Sequence, residues 1–372
     1  MHMATTTQKV VVIGGGYAGV KLARELDETA QVTLIDRKEA FFHRIASLRA
    51  SVDDAWTHAP FVPYDKLLDH GKVLLAKAVA IRPAERDVVL ATGEHLPYDV
   101  LVVATGADYQ EPARFTGTTV EEAAKAFRAH QQQTAQARSI LVVGGGPSGV
   151  ELTAQLRQTY PNARLTLAHS GSVLLSSSKS LRLGRRAQAW LEGHGVTVLL
   201  DTFVSASGGS SRFQDQAGNA MGADVAFWTT GTTPNTLWLR LAGHGGWLDA
   251  GGHVKVDSHL RVLGHRDIFA IGDVNDVAEA KLSPSAMAQG DAAAHNIRAY
   301  LQRGSKHGKQ PQPYKPAPVR LFSVPFGPEG GGTVLPMLGK DAPVLGNRPT
   351  VAMKSRSLMV PYVRHLLRQP RG

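Results

Sequence analysis

Residues 140–152 read ILVVGGGPSGVEL, and residues 10–22 read VVVIGGGYAGVKL. Each stretch opens as a run of branched apolar residues, the composition of a strand covered on both faces. Each then enters a glycine triad: Gly14, Gly16 and Gly19 in the first copy, Gly144, Gly146 and Gly149 in the second. The first glycine permits a tight turn, the second lets a pyrophosphate approach the backbone, and the third lets helix and strand pack closely. Tyr17 and Ala18 in one copy, Pro147 and Ser148 in the other, begin a helix. Its free N–H groups and positive dipole end suit phosphates. After the first copy a second strand, QVTLID, ends in Asp36, 22 residues past Gly14 and followed by Arg37. A carboxylate at that point accepts hydrogen bonds from ribose hydroxyls. A glycine pattern alone is a weak signal; the strand before it, the helix after it and the acid at the right distance make it specific.

The second copy differs at one place. Its next strand, ARLTLAHS, ends in His169 and Ser170 where the first has its acid. A carboxylate there repels a 2′-phosphate, so its absence favours NADPH being accepted alongside NADH. The other reading of His169 is an ordinary strand-end residue. Two cradles imply two dinucleotides: a resident flavin, FAD, and a nicotinamide, NADH or NADPH, that comes and goes. A duplication with one dead copy is disfavoured because both triads are complete. The fold class expected is α/β, with two Rossmann-like dinucleotide-binding domains built as three layers on parallel sheets.

The rest of the composition narrows the chemistry. The 372 residues exceed one comfortable core, so two or three domains are expected. There is no cysteine. That excludes disulfides, thiolate metal sites and any dithiol relay, and no metal site is expected. No apolar run reaches the roughly 18 residues that span a bilayer. The N-terminal residues do not read as a secretory leader, so a cytoplasmic location is the expectation. The net charge of +10 sits in residues 301–372, where twelve Lys/Arg face only Glu329 and Asp341. Such a segment attracts acidic partners, anionic lipid or nucleic acid.

Three further stretches carry a resemblance. YDVLVVATGAD closes a strand on Ala104-Thr105-Gly106, ADVAFWTTGTTPN turns at Gly231 before Pro234-Asn235, and HRDIFAIGDVND contains Gly272-Asp273. With the two cradles, they resemble the FAD-dependent pyridine-nucleotide oxidoreductases. The apoptosis-inducing-factor group is most similar and the type II NADH dehydrogenases are more distant. AFFHRIASLRASVDD, after Asp36, resembles a segment that reaches the flavin in this group, and KSRSLMV at 354–360 resembles its C-terminal KSR stretch. That group's N-terminal lipidation signal is not matched, since Met1 is followed by His2. The resemblance implies a split FAD domain at 1–115 and 252–302, an inserted NAD(P) domain at 116–251, and a linker with a small basic C-terminal domain at 303–372. Residues 205–219 read as a surface hairpin loop. A last short helix places Tyr362, Val363, Leu366 and Leu367 on one face.

The resemblance also assigns candidate residues. Asp273 is placed at the flavin's ribitol or pyrophosphate. The helix of KLSPSAMAQGDAAAHNI, with Ser283 as N-cap and Ser285 and Ala286 in its first turn, is placed at the flavin's pyrimidine end, where a positive helix terminus stabilises negative charge. Glu151 corresponds to a glutamate beside the nicotinamide. His43 stacks on the ring system or shuttles a proton, or is a loop residue without a role. Lys354 neutralises charge at the flavin or acceptor, or is merely solvated. Tyr17 packs on the cofactor. Without cysteine, a quinone reaching the flavin directly is the simplest electron acceptor, with a ferredoxin-type acidic protein second. The basic segment gives a possible peripheral contact with anionic membrane. A redox-responsive binder of nucleic acid is the reading from another class. It is disfavoured because the segment lacks aromatic platforms and recognised nucleic-acid folds.

Overall fold

The structure is a computed structural model that describes residues 8–110, 114–115, 117–206, 212–302, 310–316, 321–339 and 341–370. Along the chain, β1 (Lys9–Ile13), α1 (Tyr17–Leu26), β2 (Gln31–Asp36), α2 (Arg44–Ala50), β3 (Lys72–Leu75) and β4 (Val100–Val103) come first. The second half-motif follows: α3 (Val120–Ala135), β5 (Ser139–Val143), α4 (Pro147–Thr159), β6 (Arg164–Ala168), α5 (Leu181–Gly193), β7 (Val196–Leu199) and β8 (Val225–Trp228). The chain then returns through β9 (Ile268–Ala270) and α6 (Ser283–Leu301), and ends in β10 (Phe322–Phe326), β11 (Gly330–Val334) and α7 (Val360–Leu366).

The two β-branched runs form the centres of two parallel sheets, as strands buried on both faces must. The first sheet has the order β9-β4-β1-β2-β3 and the second β7-β6-β5-β8. Every pairing in them is parallel. The register matches too: Ile13 faces Ile35, and Val143 faces Ala168, so each glycine triad leaves its sheet at the carboxyl end. That edge is where open α/β sheets bind ligands.

α6 lies directly on α1. A Cβ on Gly290 would stand 2.9 Å from the carbonyl oxygen of Ala18, so only glycine allows this approach. The helix begins one residue earlier than the sequence suggests. Leu282, not Ser283, is the extended cap residue, and no side chain caps the helix. Pro284 fits the first turn because its missing N–H is not needed there.

The C-terminal stretch divides itself between the two halves. Phe322, Val324, Phe326 and Val334 of the β10–β11 hairpin belong to the core around β5 and α4, whereas Val363, Leu366 and Leu367 belong to the core around β1 and α1. Tyr362, expected on the buried face of α7, is exposed; its hydroxyl reaches the Met287 sulfur at 3.4 Å. Helical periodicity put it at the margin of the stripe, and the neighbouring α6 decides its side. Residues 205–219 are less loop-like than they read: Val204–Ala206, Arg212–Asp215 and Ala220–Gly222 form a three-stranded antiparallel sheet. Most of the expected linker, 303–309 and 317–318, lies outside the described residues. Residues 310–316 run beside α6, where Asn296 and Gln312 exchange hydrogen bonds of 2.7 and 2.9 Å.

Candidate active site: two cradles on one cleft

The cradles are built alike. Gly14 has φ +111° and Gly144 φ +114°, values that L side chains rarely adopt. A Cβ on Gly19 would stand 1.9 Å from the Gly14 carbonyl oxygen, and one on Gly149 would stand 1.8 Å from that of Gly144. At Gly16 and Gly146 the same construction meets nothing within 4 Å. The outer glycines thus close each turn, while the middle one faces open space at a helix N-terminus. That is the shape a pyrophosphate needs.

The strand-end residues support the turns from below. Asp36 is buried and accepts from the Gly15 N–H at 2.6 Å, the Lys38 N–H at 2.8 Å and the Lys38 ammonium at 2.8 Å. His169 takes the same place in the second copy: its Nδ1 accepts from the Gly145 N–H at 3.2 Å. Its Nε2 lies 3.2 Å from the Val173 carbonyl, which can only accept, so the proton is on Nε2. Both ring nitrogens of His169 are therefore used inside the protein. Arg37, beside Asp36, donates to the Gly117 carbonyl at 3.3 Å.

The remaining motif glycines and polar residues lock the two halves together. Thr105 Oγ1 donates to the Asn235 carbonyl at 2.9 Å, and Asn235 Nδ2 donates back to Thr105 at 3.1 Å. The Asn235 N–H donates to Gly106 at 2.9 Å. Ala104 sits under the first cradle, with its carbonyl 2.3 Å from where a Gly14 Cβ would be. Gly272 has φ +79°, and a Cβ there would lie 3.1 Å from Ala18 and 3.9 Å from Ala286. The first turns of α1 and α6 therefore meet at Gly272-Asp273. Ser285 belongs to that same first turn of α6.

Asp273 accepts from the Tyr109 hydroxyl at 3.1 Å and lies 3.8 Å from Arg44. The Arg44 guanidinium stacks 3.8 Å over the Tyr109 ring, and its Nε is buried without a partner. A buried donor without an acceptor is costly, and an anionic group at this point satisfies it. With the open cradle at Gly16, this is where the residues present fit FAD. Burial pushes the Tyr109 phenol up to about 12, so it stays a donor.

His43 is also buried. Its Nε2 lies 2.6 Å from the Leu358 carbonyl and its Nδ1 2.7 Å from the Tyr17 hydroxyl. The carbonyl fixes the proton on Nε2, so Tyr17 donates to Nδ1. Burial pushes the imidazole down to about 4, which keeps it neutral.

Glu151 and Lys354 meet. The Lys354 ammonium lies 2.7 Å from Glu151 Oε1 and donates to the Ser323 carbonyl at 3.0 Å. Burial pushes the Glu151 carboxyl up, while Lys354 and Arg49 oppose that shift. Arg49 holds the lysine's segment in place, donating to Ser355 at 2.7 Å and Arg356 at 3.0 Å. Sequence reading singled out neither Arg44 nor Arg49, nor Tyr109. The available signal was two arginines five apart in an otherwise apolar stretch, RIASLRA.

Between the halves lies a small open cleft of about 80 Å³, lined by Ser148, Thr229 and Gly231 from the second cradle's side and by Leu48 and Tyr109 from the first. The first turn of α4 therefore opens onto the back of the Tyr109–Arg44–Asp273 group.

The chain belongs to the pyridine nucleotide-disulphide oxidoreductase family, whose sequence profile matches residues 8–290. It is an FAD-dependent oxidoreductase that uses NAD(P)H. Apoptosis-inducing factor homolog B of Dictyostelium discoideum is 29% identical over 96% of both chains. Human ferroptosis suppressor protein 1 is 30% identical over 77% of this chain and 79% of its own. Among solved structures, the sulfide:quinone oxidoreductase of Aquifex aeolicus superposes with a TM-score of 0.76 over 97% of this chain and 91% of that one. At 19% identity this likeness shows a shared fold.

Proposed function

We propose that the protein is an NAD(P)H:quinone oxidoreductase. The observation that carries this reading is a pair of complete cradles, with an open cleft running from the second cradle to Tyr109, in a chain without cysteine. Electrons that enter from the nicotinamide have no thiol route out, so an acceptor that meets the flavin directly remains. One solved neighbour of the same fold is a sulfide:quinone oxidoreductase.

When bound, FAD supplies hydride acceptance and onward electron transfer. The protein's part is orientation and charge. The α1 terminus and Gly16 would hold the pyrophosphate, Asp36 the adenosine ribose, and Arg44 and Asp273 the pyrophosphate or ribitol. Asp36 does so only after Lys38, now on both its oxygens, gives way. The α4 terminus and Ser148 hold the second pyrophosphate. Glu151, one turn further, anchors Lys354 through one carboxylate oxygen and offers the other to the nicotinamide carboxamide. Lys354, with Arg49 behind it, supplies positive charge at the junction, where negative charge accumulates during reduction.

Anaerobic stopped-flow tests this. NADH or NADPH bleaches the flavin and a short-chain quinone restores its colour. Glu151→Ala, still flavin-loaded, is reduced at least about tenfold more slowly, the loss of roughly one positioned hydrogen bond. A reduced enzyme that no quinone reoxidises overturns the acceptor; unaltered reduction in Glu151→Ala overturns the role of the glutamate.

A further inference from the structure

Five of the thirteen large apolar side chains left in solvent among the described residues lie at one end of the β10–β11 hairpin. Leu321, Leu335, Met337, Leu338 and Leu345 are all exposed, Met337 and Leu338 to 61% and 57%. The backbone gathers them. Phe322 pairs with Val334, so Leu321 and Leu335 leave the same open end of the β10–β11 hairpin. The Leu338 N–H donates to the Leu335 carbonyl at 3.0 Å, folding Met337 and Leu338 back in a single turn. Leu345 exchanges two backbone hydrogen bonds with Thr333, at 2.8 and 3.1 Å. The hairpin beneath is firmly seated, with Phe322, Val324, Phe326 and Val334 buried, so the exposed leucines are not displaced core.

This end is also positive. Arg186 of α5 donates to Asn347 Oδ1 at 3.0 Å, two residues from Leu345, and Arg348 beside it is exposed. Of the two acids after residue 300, Glu329 lies at the opposite, turn end of the hairpin and only Asp341 is near. Apolar tips flanked by Arg186 and Arg348 suit the interface of an anionic bilayer, where the chains enter the headgroup boundary and the guanidinium groups meet lipid phosphates. A second copy of the chain presents the same cations and opposes them. The patch also adjoins the chemistry: Ser323, two residues from Leu321, accepts from the Lys354 ammonium at 3.0 Å.

We propose that this hairpin end is a membrane-docking face for anionic lipid. It seats the Lys354–Glu151 junction next to the layer in which lipophilic acceptors dissolve. The inference rests on the quinone reading for that purpose only; docking is read without turnover. Co-sedimentation uses the flavin-loaded protein with vesicles of phosphatidylcholine alone or mixed with phosphatidylserine. The native protein binds the mixed vesicles, and added salt weakens it. Met337→Glu/Leu338→Glu lowers its partition coefficient at least about tenfold, and Arg348→Glu about tenfold, two charge units at the surface. All variants keep native circular dichroism and native turnover of a water-soluble quinone. Native protein that stays in solution, or a Met337→Glu/Leu338→Glu protein that binds as the native one does, overturns the proposal. So does a dimer that this variant dissolves without loss of vesicle binding.

Discussion

His43 is a buried base whose proton inventory is set by its neighbours. The Leu358 carbonyl requires Nε2–H, which in the neutral ring leaves Nδ1 bare to accept from the Tyr17 hydroxyl. Protonation reverses the second bond, Nδ1 becoming the donor, and places a charge in a dry site that Lys354 already makes positive. Its folded pKa, about 4, lies below the ordinary 6.5. The unfolded chain therefore takes up the proton first as pH falls. The stability this residue contributes is complete above about pH 6.5 and is lost progressively towards pH 4, a total of about 3 kcal/mol. Urea denaturation across that window shows a falling stability, and His43→Gln removes most of the slope attributable to this site. An equal slope in the variant contradicts the assignment. Lys354 invites a different test. Removing it leaves Glu151 buried without its cation, which costs about 3–5 kcal/mol unless the carboxyl takes a proton. Lys354→Met therefore destabilises the fold at neutral pH more than at pH 4, as thermal melts at the two values show.

At the level of elements, the two strand–turn–helix units are the same device supported differently. The strand-end acceptor is a carboxylate holding the Gly15 N–H in one and an imidazole holding the Gly145 N–H in the other. The second unit thus keeps its turn without placing there a negative charge that would repel a 2′-phosphate. The third glycine of each triad has no room for a side chain. Gly149→Val drives a methyl-bearing carbon into the Gly144 carbonyl and Thr229, both in the second cradle. The variant keeps its flavin, because the first cradle is untouched, and loses nicotinamide affinity by at least about tenfold. Flavin absorbance and a nicotinamide titration separate the two effects; a variant that sheds flavin while binding NADPH reverses the assignment of the cradles.

At the scale of the whole molecule, the C-terminal segment is a strap. It leaves the hairpin packed on α4 and α5, presents Lys354 to Glu151, gives its Leu358 carbonyl to His43, and ends with Val363, Leu366 and Leu367 in the core around α1. Arg24 ties it down with a 2.6 Å bond to Leu366. Truncation after Ser357 removes four buried apolar side chains, Leu358, Val363, Leu366 and Leu367, at a cost of roughly 4–8 kcal/mol. It also frees the lysine's segment at its far end. The truncated protein unfolds at a lower urea concentration and is reduced more slowly by NAD(P)H at equal flavin occupancy; native kinetics in a flavin-loaded truncation refute the strap.

How much of this was legible beforehand follows from the range of the forces involved. The glycine triads, the strands that carry them, Asp36 and Gly272-Asp273 were readable because each answers a local demand: a positive φ, a close backbone approach, or an acid a fixed distance down the chain. His169 was placed correctly at the strand end, but its job, holding the Gly145 N–H, depends on a turn that closes over it. The start of α6 was misjudged by one residue and Tyr362 by one face, since neighbouring elements settle both. Arg44, Arg49 and Tyr109 went unread, because a buried cation is intelligible only beside what it touches. The sequence by itself determined two dinucleotide seats on parallel sheets and the exclusion of thiol chemistry. Only the tertiary structure decided that Glu151 and Lys354, 203 residues apart, are 2.7 Å from each other, and that the basic tail belongs to both halves. Contacts across such separations are set by how the cores close, and no local propensity encodes them.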